Sequence, residues 1–121
     1  MIPQAAIDAV NADPVMRRWG RLLDADVLLQ VGDHACRFVV RDGLVVAVQP
    51  GPSVMPSWTL AFRAKPEAWA AFMRPEPPPG LHDVMALVKR RALAIEGDLR
   101  PFMQHIFWFK GLFAAMRECG A

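Results

Sequence analysis

The hydrophobic period of the chain changes several times, and each change marks a predicted element. Residues 3 to 12 suit a short helix. Asp13-Pro14 then reads as an N-cap followed by proline at the first helical position, where a missing N–H does no harm. Val15, Trp19, Leu22 and Leu23 follow at helical spacing and give this second helix one apolar face. From Asp26 the period becomes two. Val27, Leu29 and Val31 alternate with Leu28 and Gln30, Gly32-Asp33 makes a tight turn, and Cys36, Phe38 and Val40 share the next strand face. Asp42-Gly43 is the strongest hairpin signal in the chain, of the kind that suits a type I′ turn. Leu44, Val46 and Val48 continue the alternation, so residues 27 to 49 predict a three-stranded antiparallel meander.

Pro50-Gly51-Pro52 ends the meander. Trp58, Leu60 and Phe62 then form one face of a fourth strand. Lys65-Pro66-Glu67 opens a helix whose apolar face is Trp69, Phe72 and Met73, and Pro75 stops it. Pro75 to Gly80 reads as a stiff, extended loop. Leu81, Val84, Leu87 and Val88 suggest a short helix, with Lys89-Arg90-Arg91 at its C-terminal end where cations suit the helix dipole. Leu93 and Ile95 mark a fifth strand ended by Gly97, and Asp98 caps a last helix. On that helix Phe102, Ile106, Phe109 and Phe113 form one stripe. Trp108, Leu112 and Ala115 lie to one side of it, Phe107 and Ala114 to the other, and Arg100, Gln104 and Gly111 keep only a narrow polar sector. A surface helix shows an apolar stripe a little over ~100° wide. This one is apolar around most of its circumference, so something beyond the sheet is expected to cover it.

Composition sharpens that expectation. The 121 residues make a single domain, 1–121, and 54% of them are hydrophobic, with seven Met, seven Phe and four Trp. So many bulky side chains in a small interior must pad the core, line a pocket, face a partner or touch a membrane. The net charge of +2 balances 14 basic against 12 acidic residues and argues against a nucleic-acid partner. The cluster Arg17, Arg18 and Arg21 and the cluster Lys89, Arg90 and Arg91 read as solvated helix ends, with at most transient contact with anionic membranes. The N-terminus lacks the pattern of a signal peptide, and no long apolar stretch is free of charge; a cytoplasmic location is the expectation.

Candidate chemistry is sparse. Cys36 and Cys119 fit neither a zinc pattern nor a disulfide framework. His34 and Cys36 share a strand face, but two ligands are too few for a closed zinc site. His82-Asp83 reads as a surface pair at a helix start. His105, beside the apolar sector of the last helix, is the candidate polar contact for a ligand head group. Ser53 and Ser57 sit in no nucleophile elbow, and the glycines show no phosphate-binding pattern. The sequence therefore predicts no catalytic residue, no cofactor and no metal, with an enzymatic role the weaker reading.

Two stretches carry a family resemblance. Trp58-Thr59-Leu60-Ala61-Phe62-Arg63-Ala64-Lys65-Pro66-Glu67-Ala68-Trp69 looks like a strand running into a helix, and Arg91-Ala92-Leu93-Ala94-Ile95-Glu96-Gly97-Asp98 like a last strand turning into a closing helix. With the meander in the same order, residues 20 to 117 resemble the sterol carrier protein type 2 family. Pro56-Ser57 replaces an Asp common before the fourth strand, and the proline run replaces a glycine after the following helix. The terminal Glu118-Cys119-Gly120-Ala121 is no peroxisomal address, so a peroxisomal setting does not carry over. The resemblance implies an α+β fold: a five-stranded, mostly antiparallel twisted sheet covered on one face by helices, with an apolar tunnel between. It implies a lipid-like ligand of sterol, fatty acyl or isoprenoid and quinone type, and carries over no catalytic residue. Trp58, Leu60, Phe62, Trp69, Phe72, Met85, Phe102, Ile106, Phe109 and Phe113 are the expected wall. The rival readings are a non-catalytic accessory protein, docking to its own copy or to an enzyme through Trp108 and Leu112, and a small enzyme using His105 as acid or base.

Overall fold

The computed structural model describes residues 2–51 and 58–119, so Ser53 and Ser57 lie outside the described residues. Two helices open the chain, α1 (Gln4–Ala12) and α2 (Pro14–Trp19). Asp13 divides them: its backbone N–H closes α1 on the Val10 carbonyl, and its carboxylate accepts the Val15 N–H at 2.8 Å to start α2. The predicted meander follows as β1 (Ala25–Val31), β2 (His34–Arg41) and β3 (Leu44–Pro50). In the turn between β2 and β3, φ is 50° at Asp42 and 74° at Gly43, as a type I′ hairpin requires.

The fourth strand, β4 (Leu60–Ala64), pairs parallel to β1, and β5 (Leu93–Gly97) adds antiparallel to β4. The order across the sheet is β3-β2-β1-β4-β5, with β1–β4 as its parallel pair. Between β4 and β5 lie α3 (Pro66–Phe72) and α4 (Val84–Lys89); α5 (Arg100–Gln104) and α6 (Ile106–Cys119) close the chain. The fold is α+β with a mixed, mostly antiparallel sheet.

Register decides which face is covered. Val27, Phe38 and Leu60 lie abreast, as do Leu29, Cys36 and Phe62, and all six are buried. The alternate positions carry Asp26, Gln30, Arg41, Arg63 and Glu96 on the other face, where Arg63 pairs with Glu96 at 2.8 Å and Arg41 with Asp26 at 3.2 Å. Trp58 departs from the alternation. The strand starts at Leu60, and the Trp58 ring lies 5.8 Å from the guanidinium of Arg63, a residue of the opposite face from Phe62. That cation–π contact takes Trp58 out of the row that the sequence assigned to it.

The last helix is two helices. At His105 (φ −125°, ψ 35°) the ladder breaks: its N–H bonds back to Pro101 and Phe102, and its carbonyl starts α6. The ring takes part, since Nδ1 lies 3.2 Å from the Trp19 carbonyl, to which it donates. Beyond the break, Trp108, Phe109, Leu112, Phe113 and Met116 are buried, while Phe107 is exposed and Ile106 half-buried. This corrects the proposed docking face: Trp108 and Leu112 are both 0% exposed, and Trp108 Nε1 donates to the Gly43 carbonyl at 2.9 Å. What covers the second side of α6 is the N-terminal pair of helices. α1 packs along α6, and α2 crosses it at Gly111, where any side chain would collide with Met16 Sδ.

Candidate functional site

Most of the expected tunnel wall is aromatic, and its rings touch one another. β4 presents Phe62, α3 presents Trp69 and Phe72, and the last two helices present Phe102, Phe109 and Phe113. The Phe62 ring centre lies 5.5 Å from Phe102, 5.6 Å from Phe109 and 5.4 Å from Phe113. Trp69 and Phe72 join the same layer through Phe113, at 5.5 and 6.1 Å. These are direct edge-on and tilted ring contacts. The rings themselves occupy the space between β4 and the closing helices, and Leu60 is buried in the same core. Three residues of the expected wall stay apart from it. Met85 is 36% exposed on α4, Ile106 sits half-buried at the helix break, and Trp58 lies against Arg63.

Space opens elsewhere. A cleft of about 860 Å³ lies where the start of α1 crosses the far end of the meander. Its walls are Ile2 and Ile7 from the N-terminal segment, Val31, Ala35 and Cys36 from the β1–β2 hairpin, Val48 and Pro50 from β3, and Trp69 from α3. Gln4, Asp33, His34 and Gly51 complete the lining and supply its polar groups. The volume falls within the roughly 300–1,000 Å³ usual for small-molecule sites, which combine an apolar wall with a few polar groups.

Local contacts fix the elements that wall this cleft. Asn11 on α1 grips the β3 backbone at one residue, donating to the Val45 carbonyl at 3.0 Å and accepting the Val45 N–H at 2.9 Å. That grip fixes one wall on the other. Gly32, at φ 59°, lets the β1–β2 turn lie under Pro66, since a Cβ there would sit 2.7 Å from Pro66 Cγ. The close approach sets the start of α3 and therefore the place of Trp69. Burial pushes the Cys36 thiol above its ordinary pKa, which favours its neutral form.

Of the expected wall, Trp69 alone lines the cleft. His105 does not reach it: the ring bonds to Trp19 near the Asp42-Gly43 turn, beyond the N-terminal end of β1, while the cleft lies at the C-terminal end. A smaller pocket of about 180 Å³ touches Phe72 and Phe113, but Lys110 and Asp83 on its rim close on each other at 3.3 Å. Among the described residues no group of three or more His, Cys, Asp or Glu could hold a metal. The cleft residues that sequence reasoning passed over are Ile2, Gln4, Ile7, Val31, Asp33, Ala35, Val48, Pro50 and Gly51. The shared strand face of His34 and Cys36 was the one visible signal for this place.

No family model and no curated protein matches this chain. Solved structures do. A crystal structure of sterol carrier protein 2 superposes with a TM-score of 0.77 at 14% identity, over 95% of this chain and 92% of that one. A conserved hypothetical protein of Thermus thermophilus, considered a candidate sterol carrier protein, gives 0.72 at 15% identity, over 95% and 83%. The sterol carrier protein 2 part of UbiJ, a ubiquinone synthesis protein, gives 0.58 at 14% identity, over 97% and 86%. Identities this low speak for architecture and not for ligand, and the architecture is unambiguous: this chain has the fold of sterol carrier protein 2.

Proposed function

We propose that this protein binds an apolar, lipid-like molecule, and that the binding site is the cleft between α1, the β1–β2 hairpin, β3 and Trp69. The observation that carries the reading is the cleft itself: about 860 Å³, walled by Ile2, Ile7, Val31, Cys36, Val48 and Trp69, with Gln4, Asp33 and His34 among its polar groups. An elongated molecule with one polar end suits that division. Its apolar body gains about 25 cal/mol for each Å² withdrawn from water. Phe72 and Phe113 back the site through their ring contacts with Trp69; Phe62, Phe102 and Phe109 stand behind them, and Leu60 is buried in the same core. The sterol carrier proteins that share this fold support the same ligand class.

The experiment is native mass spectrometry and solvent extraction of the purified protein, followed by titration with fluorescent fatty acid and sterol probes. A copurified or saturably bound apolar ligand is expected. Val48→Lys, which sets a charge on the half-buried cleft wall, should weaken binding by more than about tenfold, because a buried unpaired charge is strongly disfavoured. If no apolar ligand binds, or if Val48→Lys binds as well as the parent, the cleft is not the site.

A further inference from the structure

The cleft divides by depth. Ile7, Cys36 and Trp69 are buried and form its floor. Gln4, Asp33 and His34 are exposed and form its rim. An elongated molecule with its apolar body on that floor leaves its polar end among these three side chains. What they offer decides which polar ends fit. Among the described residues Asp33 enters no hydrogen bond and no ion pair, so its whole accepting capacity is left for a ligand. An ionised carboxylate accepts and never donates. Gln4 spends its amide nitrogen on Asp8, donating to Oδ1 at 3.0 Å, and keeps its carbonyl oxygen as a second acceptor. The imidazole of His34 can serve either way.

Charge at the rim has the same bias. The described residues that line the cleft include no lysine and no arginine. Asp33 stands in the lining, and Gln4 holds Asp8 beside it. These two carboxylates outnumber the N-terminal ammonium, whose field reaches Cys36. With the cleft as the ligand site, we propose that it selects lipids whose polar end is a hydroxyl and discriminates against the same chain ending in a carboxylate, with Asp33 setting the preference. A hydroxyl donates to the Asp33 carboxylate or to Gln4 Oε1, and accepts from His34 or from water. A carboxylate end meets acceptors at Asp33 and Gln4, and a like charge at Asp33. A site whose free groups are acceptors rewards a donor and leaves an acceptor without a partner. Asp33 is exposed, so water screens the repulsion, and the preference is about tenfold rather than absolute.

The test uses dodecanol and dodecanoate, which share a chain and differ at the polar end. Each displaces a fluorescent sterol from the full chain at low salt and about pH 8, where an ordinary imidazole is neutral and a carboxylate ionised. Dodecanol should compete at about tenfold lower concentration than dodecanoate. Variants at Asp33 separate the protein's share of that ratio from the different hydration of the two molecules. Asp33→Asn should shrink the ratio about threefold or more, and Asp33→Lys should shift it further until dodecanoate competes as well as dodecanol or better. Both variants lie on an exposed turn and should keep the parent's circular-dichroism spectrum. Equal competition by the two chains on the parent, or an unchanged ratio in folded Asp33→Lys protein, overturns the proposal and leaves the cleft as the ligand site. If neither chain displaces a bound sterol, the proposal falls as well. If neither the sterol nor either chain binds, the cleft falls with it.

Discussion

The ring layer and the cleft lie side by side, share Trp69, and are built on opposite principles. The layer brings six aromatic side chains from four elements into direct contact. The cleft collects small and branched side chains, Ala35, Cys36, Val31 and Val48, from the paired strands of the meander beside the start of α1. Density of large apolar residues therefore marks filled space here. Emptiness arises where medium-sized residues line the seam between an added helix and a sheet end.

The strongest challenge to that contrast is Trp108→Glu. If Trp108 is core, as its burial and its bond to Gly43 require, the variant loses about 3–5 kcal/mol of packing and buries an unpaired charge as well. Against a typical stability of about 5–15 kcal/mol it should barely fold. A native circular-dichroism spectrum and an unchanged denaturation midpoint would return Trp108 to the surface. Next comes Phe62→Ala, at about 3–5 kcal/mol by chemical denaturation. It should also create an apolar hole able to take up xenon or benzene, which the parent layer cannot. Uptake at the same place in the parent would mean that the layer was hollow all along.

Asn11→Ala tests the other region. Losing both bonds to Val45 should cost about 1–2 kcal/mol and weaken probe binding in the cleft, because α1 is no longer pinned to β3. Undiminished probe binding at that stability loss would separate α1 from the site. The smallest effect concerns Cys36. Its thiol pKa is raised in the fold by burial, so the folded state keeps its proton where the unfolded state has lost it. Stability should be level below the ordinary thiol pKa and decline as pH rises above it toward the folded value. Cys36→Ala should lack that particular decline; a parent protein with the same alkaline profile as the variant would place Cys36 in water.

Much of the architecture was legible because local chemistry and tertiary structure agree. Alternation gave the strands, Asp42-Gly43 gave a turn with both φ values positive, and Asp13-Pro14 and Lys65-Pro66 opened helices where they stand. The break at His105 was not legible. No glycine or proline marks it, and its visible side-chain tie is to a carbonyl 86 residues away in sequence. The sequence showed that the side of the last helix carrying Trp108 and Leu112 needs a cover, but not that α1 and α2 supply it. Trp58 was misplaced because its partner, Arg63, overrides strand alternation. The cleft was invisible for a different reason. Its lining is drawn from residues 2–7, 31–36, 48–51 and 69, and each segment contributes ordinary core-type residues.

The Asn11 clamp has a bearing on solubility as well. β3 is an outer strand of the sheet, and the two backbone groups that Asn11 engages at Val45 are ones an incoming strand would use. α1 therefore acts as a stopper on an otherwise adhesive margin, next to Val46, which is 57% exposed. A chain shortened past Asn11 would lose one side of its cleft and bare this margin at once. Its copies would then be free to zip together strand by strand.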